Sequence, residues 1–195
     1  MAAAKAMLDE IHPNLPTSSN DQNTYVLGRI HAHNVVIACL PSGIYGTTSA
    51  TTVANQMLFT FPSIRFGLMV GIGGGAPSKG VDIRLGDVVV SKPTGDFGGV
   101  VQYDFGKGVG QGVFERTGCL NKPPQILLTA IARLQADHMV ETSRIPEYLS
   151  EMIAAYPSPR MQAEFTYRGQ DQDRLFDAAY DHCGLENKLL ATVAK

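Results

Sequence analysis

The residues that most directly suggest chemistry lie in the stretch 65–91, R-F-G-L-M-V-G-I-G-G-G-A-P-S-K-G-V-D-I-R-L-G-D-V-V-V-S. Gly71, Gly73, Gly74 and Gly75 have no side chain to screen their backbone N–H groups, and Ile72 interrupts them. Bare amides at the end of an apolar strand can hold an anionic or hydroxyl-rich ligand close to the main chain. G-I-G-G-G-A over 71–76 satisfies the dinucleotide-binding pattern G-x-G-x-x-G/A. That fingerprint requires a helix to start at once, so that its N-terminus meets the pyrophosphate. Here Pro77, Ser78, Lys79 and Gly80 follow, then a second apolar run, and the dinucleotide reading fails on context. A Walker phosphate loop fails as well, because Gly106-Lys107 is followed by Gly108 and not by Ser or Thr. The loop is expected to supply part of a nucleoside-type pocket. A tight strand connection without a ligand is the plain alternative.

Other residues were weighed in the same way. His31 and His33 have an i, i+2 spacing that can put two imidazoles on one strand face, but no Cys or carboxylate lies close enough to complete a metal set. Turn histidines facing water are expected there, and no metal. Tyr103 and Phe105 could stack on a base, against the simpler reading that loop aromatics pack on the sheet. Asp82 and Asp87 are the carboxylates nearest the glycine loop, and Asp87 is expected to orient its own turn. No catalytic residue is assigned.

These residues need elements to position them. Residues 66–70 and 85–90 read as strands on either side of the loop. Residues 2–11 read as one alanine-rich helix ended by His12-Pro13. Residues 24–30 and 35–40 read as a hairpin about His31–Asn34. A helix from 47 or 48 to 61 follows, capped by Thr47, Thr48 or Ser49, with Ala50, Val53, Ala54, Met57, Leu58 and Phe61 on one face. A strand, a helix of this length and another strand imply a right-handed crossover with parallel pairing, so the sheet is expected to be mixed and the class α/β. Further on, 100–103 reads as a strand and Pro123-Pro124 opens a helix capped by Asn121, with Ile126, Leu127, Ala130, Ile131 and Leu134 on one side. A second helix spans about 146–155, with Ile145, Leu149, Met152 and Ile153 inward, and beyond Tyr156 only 174–180 and 185–194 show weak order.

The chain has 195 residues, 44% of them hydrophobic and 17% charged, which suits a single globular domain over 1–195. A net charge of −2 gives no general attraction to nucleic acid or to an anionic membrane. Cys39, Cys119 and Cys183 lack framework spacing, and Cys39, inside an apolar run, is expected in the core. Reduced thiols and the absence of a signal-like N-terminus point to the cytoplasm.

At S-G-I-Y-G-T-T-S-A (42–50), V-G-I-G-G-G-A-P (70–77) and D-I-R-L-G-D-V-V-V-S (82–91) the chain resembles the nucleoside phosphorylase / nucleosidase superfamily, in the form found in fungal NLR-like multidomain proteins. The resemblance runs to about Cys183. It implies a mixed, partly barrel-like central sheet flanked by helices, here incomplete, and cleavage of the N-glycosidic bond of purine nucleosides. It places Gly71, Ile72, Gly73, Gly74 and Gly75 against the sugar and its attacking group; Gly43, Tyr103 and Phe105 are expected as further substrate contacts beside them. It implies no cofactor, phosphate serving as co-substrate in the phosphorolytic members, and a second copy or a neighbouring domain as partner.

Departures from the family pattern refine that expectation. Ile72 stands where family enzymes usually place a serine, and Met69 where bacterial phosphorylases carry a phosphate-binding arginine. Neither side chain can bind phosphate, which favours hydrolysis over phosphorolysis or a non-catalytic binder. The family's first strand, its ribose-binding glutamates and its purine-protonating aspartate find no match, so the chain is expected to be truncated at both ends and weak or inactive alone.

Overall fold

The structure, a computed structural model, describes residues 1–78, 80–110, 112–167, 169 and 173. In chain order the elements are α1 (Ala2–Ala6), β1 (Glu10–His12), β2 (Val26–Ile30), β3 (His33–Ile37), α2 (Thr47–Thr60), β4 (Gly106–Gly108), β5 (Phe114–Arg116), α3 (Gln125–Val140), α4 (Ile145–Ala155) and α5 (Pro159–Phe165). The class is therefore α/β, with two small antiparallel sheets and no closed barrel among the described residues. The residues fall into two compact units, Met1–Val70 with Thr142–Thr166, and Gly71–Glu141 with the described residues from Tyr167 on.

The first unit is built on the sheet β1-β2-β3. The expected hairpin forms, with Val26 opposite Ile37 and Ile30 opposite His33, so its turn is only His31-Ala32 and His33 belongs to the strand. His31 turns the chain at φ +49°, a left-handed conformation that few non-glycine residues adopt. Its N–H donates to Asp9 Oδ2 at 2.6 Å, which fixes the bend from the neighbouring edge. The long N-terminal helix is corrected: helix stops at Ala6, and Glu10–His12 pairs antiparallel with β2. Alanine favours helix only weakly, and a ready ladder partner outweighs that preference for the last residues. Gly28 makes the pairing possible, because a Cβ there would overlap the Glu10 carbonyl oxygen and lie 2.6 Å from Leu8 Cδ1.

Among the described residues, Leu8, Tyr25, Leu27, Val53 and Met152 are the buried apolar side chains, and all five lie in this unit. Each contributes about 1.5–3 kcal/mol through area removed from water. Helix α2 lays Val53 on that core, but Ala54 and Leu58 are exposed, so its covered stripe is narrower than the sequence suggests. Its N-cap is Gly46 at φ +102°, and Thr47, Thr48 and Ser49 lie inside the first turn without capping it. Helices α4 and α5 pack on each other. The expected α4 is present with Met152 buried and Leu149 and Ile153 half-buried, while Ile145 is exposed. Helix α5 was not foreseen; Ser158 caps it by accepting the Met161 N–H at 3.1 Å, and Pro159 opens it.

The second unit departs furthest from expectation. Residues 66–70, at the end of the first unit, and 85–90 join no ladder, and neither does 100–103. The parallel crossover is thereby overturned: every ladder among the described residues is antiparallel. Strand preference is realised only against a partner, and these apolar runs have none. The ladder that does form is the short pair β4 and β5, Gly106 opposite Arg116. Helix α3 matches the expected helix, but Pro124 is its N-cap and Asn121 does not cap it. Its half-buried positions are Leu127, Leu128 and Ile131, with Ile126, Ala130 and Leu134 exposed. Cys39 is exposed, not in the core, because it lies beyond the last paired residue of β3; Cys119 is exposed too. Cys183 and the segments 174–180 and 185–194 lie outside the described residues. No described helix is long and apolar enough to cross a membrane.

Candidate functional site

Gly71, Ile72, Gly73, Gly74 and Gly75 form an extended, exposed segment, and the Ile72 side chain is 105% exposed. No hydrogen bond engages their amides among the described residues. A Cβ placed on Gly71, Gly73 or Gly74 would meet nothing within 4 Å, so packing does not demand glycine at these three positions. Gly75 differs: its Cβ would sit 2.6 Å from Ile83 Cγ2, and glycine there lets the chain fold back on itself. The amides are thus available, as the sequence suggested.

The two carboxylates near the loop are both occupied. Asp87 Oδ2 accepts the Arg84 N–H at 2.8 Å while the Asp87 N–H donates to the Arg84 carbonyl at 3.2 Å. This closes the turn at Gly86, φ +91°, and is the orienting role expected of Asp87. Asp82 pairs with the Arg84 guanidinium, which also reaches Asp173 at 3.5 Å.

The aromatic pair separates. Tyr103 is 82% exposed, whereas Phe105 lines a hollow of about 140 Å³ with Phe97, Val100, Val101, Cys119 and Leu120. The Arg116 guanidinium lies 5.5 Å from the centre of the Phe97 ring, beside that hollow. Small-molecule sites usually enclose about 300–1,000 Å³, so this hollow is too small to hold a whole nucleoside. Gly43 sits in an exposed turn of the first unit at φ +78°, with open space where a side chain would be. His31 and His33 are exposed, and no group of three or more His, Cys, Asp or Glu among the described residues could hold a metal.

The best-organised polar cluster lies around Asp21, a residue to which the sequence assigned no role. Asp21 Oδ1 accepts the Asn23 N–H at 2.9 Å, and Oδ2 accepts the Tyr25 hydroxyl at 2.7 Å and the Thr60 hydroxyl. The Asn23 side-chain amide donates to the Tyr25 hydroxyl oxygen and to the Val53 carbonyl, both at 2.9 Å. Tyr25 meets Phe61 edge-on, ring centres 5.0 Å apart. Burial pushes the Asp21 carboxyl up, but the donors on Thr60, Asn23 and Tyr25 outweigh it and hold the group below its ordinary 3.8. Burial pushes the Tyr25 hydroxyl up as well, here above its ordinary 10.0, and the Asp21 charge adds to it. The alternating D-x-N-x-Y over 21–25, just ahead of β2, was the available signal.

The molecule is thus an α/β chain in two units, with an open glycine loop in one and a satisfied polar network in the other. It is similar to a nucleotide-binding leucine-rich repeat (NLR)-like protein of Hyaloscypha variabilis, 46% identical over 178 residues, which cover 91% of this chain and 17% of that protein. The chain therefore spans about a sixth of the length of the relative it matches. No family model and no solved structure matches it.

Proposed function

We propose that the chain is a nucleoside phosphorylase / nucleosidase-like module of an NLR-like protein, and that its loop at Gly71–Gly75 takes the sugar side of a purine nucleoside. The observation that carries this reading is the row of unengaged main-chain amides there, with no side chain over Gly71, Gly73 or Gly74. By family the reaction is cleavage of the N-glycosidic bond, with water preferred to phosphate because Met69 and Ile72 offer phosphate neither charge nor hydrogen bond. Hydrolysis would give the free base and ribose, and requires a proton delivered to the departing ring nitrogen.

A second reading, a non-catalytic nucleoside sensor, is favoured by the state of Asp82 and Asp87, both held by Arg84. One set of measurements separates the two. The purified chain is incubated with adenosine, inosine and methylthioadenosine, with and without phosphate, and free base is measured; calorimetric titration with the same nucleosides is run alongside. Free base supports the enzyme, and heat without base supports the sensor. Neither heat nor base from a folded sample removes both readings.

A further inference from the structure

The first unit carries a second feature, unrelated to the glycine loop. An open groove of about 600 Å³ is lined by Asn20, Asp21, Gln56, Phe59 and Thr60, among others. Among its lining residues is Asp21, whose carboxylate is engaged only by neutral donors; no ion pair reaches it among the described residues. Oδ1 accepts a single hydrogen bond and keeps a lone pair free. Along the same groove Phe59, on α2, is 85% exposed. An ionised carboxylate and a bare ring face in one groove are the two elements that recognise a guanidinium, by charge-assisted hydrogen bonding and by cation–π attraction. The groove is much larger than a guanidinium alone. Asn20 and Gln56 also line it; the Gln56 side-chain amide donates to the Asn20 main-chain carbonyl at 3.3 Å, which leaves the Gln56 side-chain carbonyl oxygen and the Asn20 side-chain amide for the peptide groups of the chain that carries the guanidinium.

We propose that this groove is a docking site for an arginine on an extended segment of a partner protein, with Asp21 as the anion and Phe59 as the ring. The test uses the full chain and a fluorescein-labelled Gly-Gly-Arg-Gly-Gly peptide followed by anisotropy, with the neutral citrulline peptide and free agmatine as comparisons. Saturable binding of the arginine peptide is expected. It should weaken about two- to fivefold in Phe59→Ala, whose exposed side chain leaves the fold intact. Loss of about tenfold or more is expected in Asp21→Asn. Should Asp21→Asn fail to give a folded circular dichroism spectrum, the Phe59→Ala comparison decides alone. Equal binding by Phe59→Ala, equal binding of the citrulline peptide, or no saturable binding overturns the proposal. Agmatine binding as tightly as the peptide overturns the assignment to a segment.

Discussion

The segment Val26–Ile30 and the segment 85–90 are both apolar and β-branched, yet the protein treats them differently. Leu27 is 7% exposed, clamped between β1 and β3, whereas Val89 is 74% exposed and pairs with nothing among the described residues. Hydrophobic content does not separate them. The first run has strands within a hairpin turn's reach on one side and a close-approach glycine, Gly28, on the other. The second is followed by a tight turn at Thr94–Phe97 that brings Gly99 against the Lys92 backbone, yet no ladder with 85–90 forms among the described residues. Local partners turn an apolar run into a sheet, and the first unit has them.

The contrast can be broken at its strongest point by Gly28→Ala, which forces a methyl onto the Glu10 carbonyl and Leu8. A loss of about 3 kcal/mol is expected in urea denaturation of the first unit. Next in size, Tyr25→Phe removes the hydroxyl that Asp21 and Asn23 share and should cost about 1 kcal/mol in the same assay. The Asp21 network also predicts a pH effect whose sign follows from the depressed carboxyl. Its stabilisation is fully present above the unfolded value of about 4 and is lost as pH falls through the lower folded value. The urea midpoint should therefore drop more between pH 6 and pH 3 in the natural chain than in Asp21→Asn.

In the second unit the expected effects are smaller. Gly73→Ala, with nothing within 4 Å of the new methyl, should leave stability within about 0.5 kcal/mol. It should nevertheless weaken any nucleoside titration, because the methyl screens the neighbouring amides. Val89→Lys should be thermodynamically silent and should lower self-association in sedimentation velocity, since an unpaired apolar run is a template for another chain. A large loss of stability from either variant would show that the second unit is as tightly built as the first.

Much of the helical content was legible. The regular spacing of Val53, Met57 and Phe61 and the Pro-Pro start before Gln125 both led to helices within a residue or two of those observed. The hairpin was legible for the same reason, a short polar interruption between two apolar runs. Strands 66–70 and 85–90 were misread because composition reports the capacity to pair, not the presence of a partner. At the candidate site, residue types alone show that Gly71, Gly73 and Gly74 carry no side chain, whereas the lack of a hydrogen bond to their amides among the described residues is a property of the fold. The engagement of Asp82 by Arg84 and the convergence of Asp21 with Thr60, 39 positions apart, depend on how the chain returns on itself.

The pairing of His12 with Leu27 has one more consequence. It ties together the two ends of the connection 13–25, and the Thr60 hydroxyl, bonded to Asp21, pins that connection at a point between them. A long arc becomes two short ones, each with little slack left to lose. Whatever enters beside Asp21 therefore meets a wall already assembled, and the ordering cost that usually dulls recognition by a surface loop has been met by folding itself.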